Sequence, residues 1–491
     1  MNELAFCSAT ELVASIKAGK ITCTEMLDYF TDRIARLNPE LNAVIQMDIK
    51  NARARSEKAD SAIKNGEDWG PLHGLPVTIK DSLEVVGMPC SSGAPELKNH
   101  MPEKNADVVQ SLIDAGAVVF GKTNMPLYGG DVQSYNKIYG QSNNPWDRSL
   151  TPGGSSGGAA AALAAGLTGL EIGSDIGGSI RTPAHFCGIY GHKPSFGIVP
   201  DRGHIPPPPG IFTGDYTLTA DLVVVGPLAR SADDLSLAMD LIVSPEKPEK
   251  KAWCIKLPES RKKKLKDFRI GIWLDDPTCP VDIRVSDRIQ TIADKLATEG
   301  VRIDETHPQI DFSESNAMYL DLLAAIMGSG LPREMFESLV QAAPTLSEED
   351  TGHMARHIRG ATQLHRNWIG QDAMRQIMRQ KWDDFFTEYD LLLCPVAPVT
   401  AFPHDHEYIY DRTIQVNHRK RPYLDLLGWA GLAGVVFLPA TVAPAGLTPE
   451  GHPVGVQIVG PYLEDRTTIQ FAKLMENIFG GFVPPPDYVN R

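Results

Sequence analysis

No run of 18 apolar residues occurs in this chain of 491, so a membrane-spanning helix is not expected. Cysteine is sparse and scattered: Cys7, Cys23, Cys90, Cys187, Cys254, Cys279 and Cys394. An odd number without a CxxC pair suits neither a disulfide framework nor a zinc site. It fits free thiols in a reducing compartment. Basic charge is in deficit, with 47 Lys and Arg against 61 Asp and Glu and a net charge of −14. That balance argues against nucleic acid or an anionic membrane as the main partner. The N-terminus places polar and acidic residues inside its first apolar stretch and does not read as a secretory signal. A cytoplasmic enzyme is expected. No repeats or low-complexity tracts occur.

What the chain does have is an apolar fraction of 42%, enough for a sizeable core. By length it is two or three average domains, or one large α/β unit. Its most informative stretch runs from Thr151 to Pro183. Two glycine clusters there each present serine: Gly153-Gly154-Ser155-Ser156-Gly157-Gly158 and Gly177-Gly178-Ser179. Between them lies the alanine run Ala159 to Ala165, which predicts a short helix starting near Ser155. Gly166 to Ile172 reads as a connector and a short apolar strand. Ser179 then emerges from a glycine-dense loop.

These residues suit acyl transfer. A serine hydroxyl needs a base to become a nucleophile. The tetrahedral intermediate needs donors aimed at its oxyanion. Glycine lets backbone approach a ligand closely. A single Gly-Gly-Ser is an ordinary turn, but two such clusters in one stretch are harder to dismiss.

The stretch resembles the signature of the amidase signature family, GGSSGG followed by G-S-D-x-G-G-S-I-R-x-P. Further motifs carry the resemblance. They are Gly74-Leu75-Pro76-Val77-Thr78-Ile79-Lys80-Asp81, Gly121-Lys122-Thr123-Asn124-Met125-Pro126, Gly140 to Trp146, Gly191-His192-Lys193-Pro194-Ser195 and Gly226 to Arg230. The likeness is close over residues 1 to about 240 and looser over 385–475. It implies a single α/β domain over 1–491, a mixed central β-sheet covered by helices on both faces. Within it, 74–240 would be the signature core, and 245–390 a variable, mostly helical region that shapes the substrate site.

The resemblance also implies a mechanism. Ser179 attacks an amide carbonyl. Ser155, beyond a cis Gly154–Ser155 peptide, bridges Ser179 and Lys80. A lysine at the end of an apolar strand is costly to bury. Burial lowers its pKa towards a neutral amine that serves as a general base. The N–H groups of Ile176, Gly177, Gly178 and Ser179 would form the oxyanion hole. Gly129 aligns where relatives turn a carbonyl towards the substrate. Ser156, Ser174, Asp175 and Arg181 would support the triad. Arg181 pairs with Asp175 either to hold the loop or as a plain structural ion pair. No metal and no organic cofactor is implied. The partner is a small-molecule amide, an apolar acyl or aryl amide being expected. Esterase side activity and a homodimer are also expected.

Other chemistries compete for the same residues. A Ser-His-Asp triad would draw on His185 or His192, but neither stands in a G-x-S-x-G elbow. Both read as packing or hydrogen-bonding residues, and His185 could also line the pocket. A phosphate-binding glycine loop needs a preceding apolar strand, whereas Asn143 to Thr151 is polar and contains Pro145. A glutamine-hydrolysing subunit of a tRNA-dependent amidotransferase shares the signature and would work only in a complex. A silent scaffold is disfavoured by the intact Lys80, Ser155 and Ser179.

The remaining chain supplies context. Ser8 and Glu11 form an N-terminal capping box. Leu27, Phe30, Ile34 and Leu37 make a helical stripe that Asn38-Pro39 should end. Prolines 206–209 read as a rigid loop or a surface bend. Residues 244–266 read as a solvated connection, and 313–384 as mostly helical. There Met318, Tyr319, Leu322, Ile326, Met327, Met335 and Phe336 would line an apolar tunnel or pack as plain core. The substrate itself is not legible.

Overall fold

The computed structural model describes residues 2–205, 220–347 and 349–489. The proline run at 206–209 lies outside them. Eleven strands form one mixed sheet. In chain order they are β1 Val44–Met47, β2 Pro76–Lys80, β3 Val118–Thr123, β4 Glu171–Asp175, β5 Tyr190–Lys193, β6 Val224–Ala229, β7 Arg269–Ile272, β8 Arg302–Glu305, β9 Leu391–Pro395, β10 Ala440–Leu447 and β11 Pro453–Val459. Across the sheet the order is β1-β3-β2-β4-β6-β5-β10-β11-β9-β7-β8. Strands β3, β2 and β4 run parallel, as do β9, β7 and β8. The strands between them are antiparallel. With its flanking helices this sheet makes the single α/β domain that the resemblance implies. The central strands β2, β4, β6, β9 and β11 are buried at every residue. A sheet covered on both sides gives unbroken apolar runs rather than alternation.

The capping box forms as read. Glu11 N donates to Ser8 Oγ at 3.2 Å and Ser8 N to Glu11 Oε2 at 2.8 Å, opening α1, Ala9–Lys17. The next expectation is corrected. Helix α2, Cys23–Leu41, runs through Pro39 instead of ending at Asn38-Pro39. Asn38 itself closes the last turn. Its carbonyl accepts from Asn42 N at 2.6 Å, and its Oδ1 accepts from Ala43 and Val44 N at 2.9 Å each. Asn42, left-handed at φ 49°, then stops the helix.

The alanine run becomes α3, Gly157–Ala164, with all its residues buried. Strand β4 begins at Glu171, inside the expected Gly166–Ile172 segment, and runs past its end. Pairing with β6, from Glu171↔Leu228 to Asp175↔Val224, carries it on to Asp175. Ser174 and Asp175 thus end the strand, and on its other side β4 pairs with β2, which ends at Lys80. Helix α4, Arg181–Cys187, follows the serine loop. Region 313–384 is helical as expected: α5 Phe312–Ser329, α6 Arg333–Ala342, α7 His353–Ala361 and α8 His365–Glu388.

Candidate active site

Thr151 to Pro183 is buried throughout, apart from a half-buried Ile176. Lys80 ends β2 and is itself fully buried. Its Nζ donates to Ser155 Oγ at 2.6 Å and to Ser174 Oγ at 3.1 Å. The Gly154–Ser155 peptide is cis. Ser156 N donates to Ser179 O at 3.0 Å, tying one serine loop to the other. Ser156 Oγ reaches the Ser174 carbonyl at 3.4 Å. Lys80, Ser155, Ser156, Ser174 and Ser179 thus share one buried corner.

Glycine is required where the loops touch. A Cβ on Gly154 would stand 2.6 Å from Asp131 O and 2.7 Å from Gln133 N. Segment 131–134 therefore lies against the cis peptide. Ser134 fastens the contact, donating to Gly153 O and accepting from Gly157 N, both at 3.0 Å. Asp131 holds the segment from behind, bonded by Arg412 Nη1 at 2.7 Å and Tyr423 OH at 2.6 Å. No motif in the sequence points to Asp131, Ser134, Arg412 or Tyr423. Arg412 and Tyr423 come from the far C-terminal half, so no local pattern could have flagged them.

Asp175 and Arg181 form a two-pronged ion pair, Nη2 to Oδ1 at 2.7 Å and Nε to Oδ2 at 3.0 Å. Both are fully buried. The carboxylate also accepts from Gly178 N and Ile180 N at 3.0 Å each. Arg181 Nη1 anchors to Ala430 O and Gln457 Oε1, both at 2.7 Å. Through this carboxylate Arg181 is joined to the backbone of the serine loop. Burial acts to raise the Asp175 carboxyl, but the Arg181 guanidinium overrides it and holds it down at about 2. One expectation is corrected here. The Gly178 amide is spent on Asp175, so it is not available to an oxyanion.

Ile176, Gly177 and Ser179 face a cavity of about 260 Å³. Gly129 lines it as well, and a Cβ there would stand 3.4 Å from Ser155 Oγ. The opposite wall is Leu320, Leu323, Ala324 and Met327 of α5, with His353, Arg356 and His357 of α7. Of the methionine-rich stripe, only Met327 is in that wall. Tyr319 and Leu322 are buried core, and Met335 is exposed. The helix turns the neighbouring stripe towards the cavity.

Burial pushes the Lys80 ammonium down to about 7, against the pull of Asp175 and Glu171. His185 lies outside the cavity lining. Its Nε2 bonds Val399 O at 3.0 Å, and its Nδ1 accepts from Gly455 N at 2.7 Å. Burial keeps it neutral, down at about 4. His192 bonds Asp465 at 3.0 Å and Thr441 at 2.9 Å, while Ser195 Oγ donates to Asp465 at 2.7 Å. This Ser, His and Asp set is solvent-inaccessible and outside the cavity lining. It fastens β5 and β10 to the helix Asp465–Phe479. Among the described residues, no group of three or more His, Cys, Asp or Glu is placed to hold a metal ion. None of their helices is long and apolar enough to cross a membrane.

A family model described as Amidase matches residues 25–469. The chain belongs to the amidase family. As a member it is an amide hydrolase, acting on amide C–N bonds. Indoleacetamide hydrolase of Bradyrhizobium diazoefficiens is 31% identical over 478 residues, covering 96% of this chain and 86% of the relative. Fatty-acid amide hydrolase 2-B of Danio rerio is 31% identical over 513 residues, covering 99% and 91%. One subunit of the glutamyl-tRNA(Gln) amidotransferase of Synechococcus sp. is 30% identical, covering 93% and 94%. The structure of 6-aminohexanoate cyclic dimer hydrolase complexed with substrate superposes with a TM-score of 0.79 at 25% identity, covering 99% of this amidase and all of that chain.

Proposed function

We propose that this amidase hydrolyses a carboxamide R–CO–NH–R′ with an apolar acyl or aryl group, through an ester on Ser179. The observation that carries this is the Lys80–Ser155 contact of 2.6 Å beside a cavity lined by Ser179. Lys80 as a neutral amine takes the Ser155 proton while Ser155 takes that of Ser179. Ser179 Oγ attacks the carbonyl carbon, and the charge moves to the carbonyl oxygen. The amides of Ile176, Gly177 and Ser179 are the donors for that oxyanion. The relay then returns a proton to the departing nitrogen. Water cleaves the ester by the same route. Ser156, Ser174, Asp175 and Arg181 hold these groups in place. The region 245–390 supplies the apolar wall.

The cavity limits the substrate. A cavity of about 150 Å³ holds benzene. By that ratio, the 260 Å³ here takes about ten non-hydrogen atoms. An arylacetyl group or a medium acyl chain fits, and the named activity of the indoleacetamide relative is of that kind. Met327→Trp should cut kcat/KM for such amides about tenfold or more, while acetamide-sized substrates are spared. Equal losses across an acyl-length series would remove Met327 from the binding wall.

The purified chain should release ammonia or amine from phenylacetamide- and octanamide-sized substrates without any added protein. Activity appearing only with glutamine and co-purified partners would transfer the assignment to one component of an amidotransferase. The pH profile gives a second check. Lys80 must be neutral to act as base, and its ammonium forms as pH falls through about 7. Hence kcat/KM should rise with pH across that value and level off above it. A flat profile from pH 5.5 to 8.5 would count against Lys80 as the base.

A further inference from the structure

The peptide between Ile176 and Gly177 has a support of its own. Tyr319, in α5, is fully buried, and its hydroxyl donates to Ile176 O at 3.0 Å. Burial holds the phenol protonated, well above its usual range, so the oxygen donates. Among the described residues, no backbone N–H reaches that carbonyl. The ring lies against the helix Gly428–Val435, where Gly431 and Gly434 stand three residues apart on one face. A Cβ on Gly431 would come within 2.6 Å of the ring's Cδ1, and one on Gly434 within 3.7 Å of its Cε2. Glycine is a poor helix residue, and here it opens the slot that the ring fills. A Cβ on Gly177 would stand 3.1 Å from the hydroxyl itself.

Among the described residues the only cis peptide is Gly154–Ser155, so the Ile176–Gly177 bond is trans. In a trans peptide the C=O and N–H lie on opposite sides of a rigid plane. Fixing the Ile176 oxygen therefore fixes the direction of the Gly177 N–H, away from Tyr319. Gly177 lines the cavity with Ser179, and Tyr319 does not. Among the described residues no acceptor takes the Gly177 N–H, whereas Asp175 takes that of Gly178. One end of this peptide is held from the core, and the other end is uncommitted beside the cavity.

We propose that Tyr319 is a positioning residue for amide cleavage: its hydroxyl holds the Ile176 carbonyl and thereby aims the Gly177 N–H at the substrate's carbonyl oxygen as charge develops there. This rests on the relay and the oxyanion donors proposed above. Such donors work by being fixed before the charge appears. A carbonyl that accepts a hydrogen bond also polarises the N–H of its own peptide, which strengthens the bond that N–H makes to an oxyanion. Tyr319 stands outside the cavity lining and acts through that peptide alone.

The test is Tyr319→Phe, which keeps the ring in its slot and removes only the hydroxyl. Losing an oxyanion donor outright costs about 10²–10³ in kcat. Leaving one unaimed should cost about tenfold in kcat, with KM for octanamide within about twofold of wild type. Heptyl trifluoromethyl ketone, whose carbonyl takes up the serine oxygen as a tetrahedral adduct, should bind about tenfold more weakly, while inhibition by octanoate should not change. The Gly177 amide gives a signature that needs no turnover. It belongs to one of only four Ile-Gly peptides in the chain. Labelling isoleucine carbonyls with ¹³C and glycine with ¹⁵N therefore leaves four signals, and Gly177→Ala identifies its own. That resonance should move in ligand-free Tyr319→Phe, and its shift on ketone binding should shrink. A folded Tyr319→Phe with wild-type kcat and ketone affinity would overturn the inference, because a tyrosine that only packs would lower the unfolding midpoint and leave both unchanged. The relay fails separately, if Ser179→Ala still hydrolyses amides. With Ser179→Ala inactive and Tyr319→Phe unslowed, the relay stands and the role of Tyr319 does not.

Discussion

Replacing Ser179 with alanine should lower amide hydrolysis about 10⁴-fold or more, with the fold intact. Nucleophile deletions in acyl-transfer relays reach that scale because the remaining parts act only as a unit. Ser179 is only 7% exposed and lines the cavity, so removing one oxygen there disturbs little packing. Intact mass after a phosphonofluoridate probe reads the change directly. Wild type should gain one adduct, and Ser179→Ala none. An adduct that persists in the variant would show another nucleophile and send attention back to the histidines. No adduct on either protein would leave the relay without support. Ser155→Ala should slow labelling strongly without removing the labelled atom, and that contrast separates bridge from nucleophile.

Asp175→Asn should cost about 3–5 kcal/mol of stability, because it strands a buried guanidinium. Folded proteins have only about 5–15 kcal/mol to lose. The midpoint of urea unfolding measures the loss. Activity should fall as well, since Asp175 holds the amides of Gly178 and Ile180 on either side of Ser179. The two effects can be separated. The double variant Asp175→Asn/Arg181→Met removes both charges and should recover part of the stability. It should not recover the rate of Ser179 labelling, because a neutral amide anchors those N–H groups more weakly. An unfolding midpoint equal to wild type in Asp175→Asn would show that the pair does not bear on the fold. Recovered labelling in the double variant would show that the carboxylate does not set the loop.

The residues that meet at Lys80 were legible because they sit in local patterns. Two glycine-serine clusters, an alanine helix and a lysine at the end of an apolar strand all lie within short windows. Backbone approach and burial dictate such windows residue by residue. That Lys80 meets Ser155 and Ser174 in one corner was implied only by the family resemblance, because no such window holds both the lysine and the serines. The strands β2, β7 and β9 were legible for the same reason, as short apolar runs in a sheet covered on both sides.

What only the tertiary structure decided depends on contacts between distant segments. Asn38 outweighs Pro39 because its side chain reaches Ala43 and Val44 once the chain turns into β1. Gly178 looked like an oxyanion donor from its place in the loop, yet the folded loop gives its N–H to Asp175. Arg412 and Tyr423 reach Asp131 across some 280 residues of chain, and no window of sequence contains both ends. The stripe of α5 that faces the cavity depends on how the helix is rotated against its neighbours, because an apolar helix does not reveal which face is core and which is pocket. Glu171 is another case. In sequence it is one acidic residue before Ile-Gly-Ser-Asp, and its partner Thr78 appears only when β4 is registered against β2. Local geometry and burial cost are properties of the residues themselves. The partner of a buried charge is a property of the packing, and the chain had to fold for it to be seen.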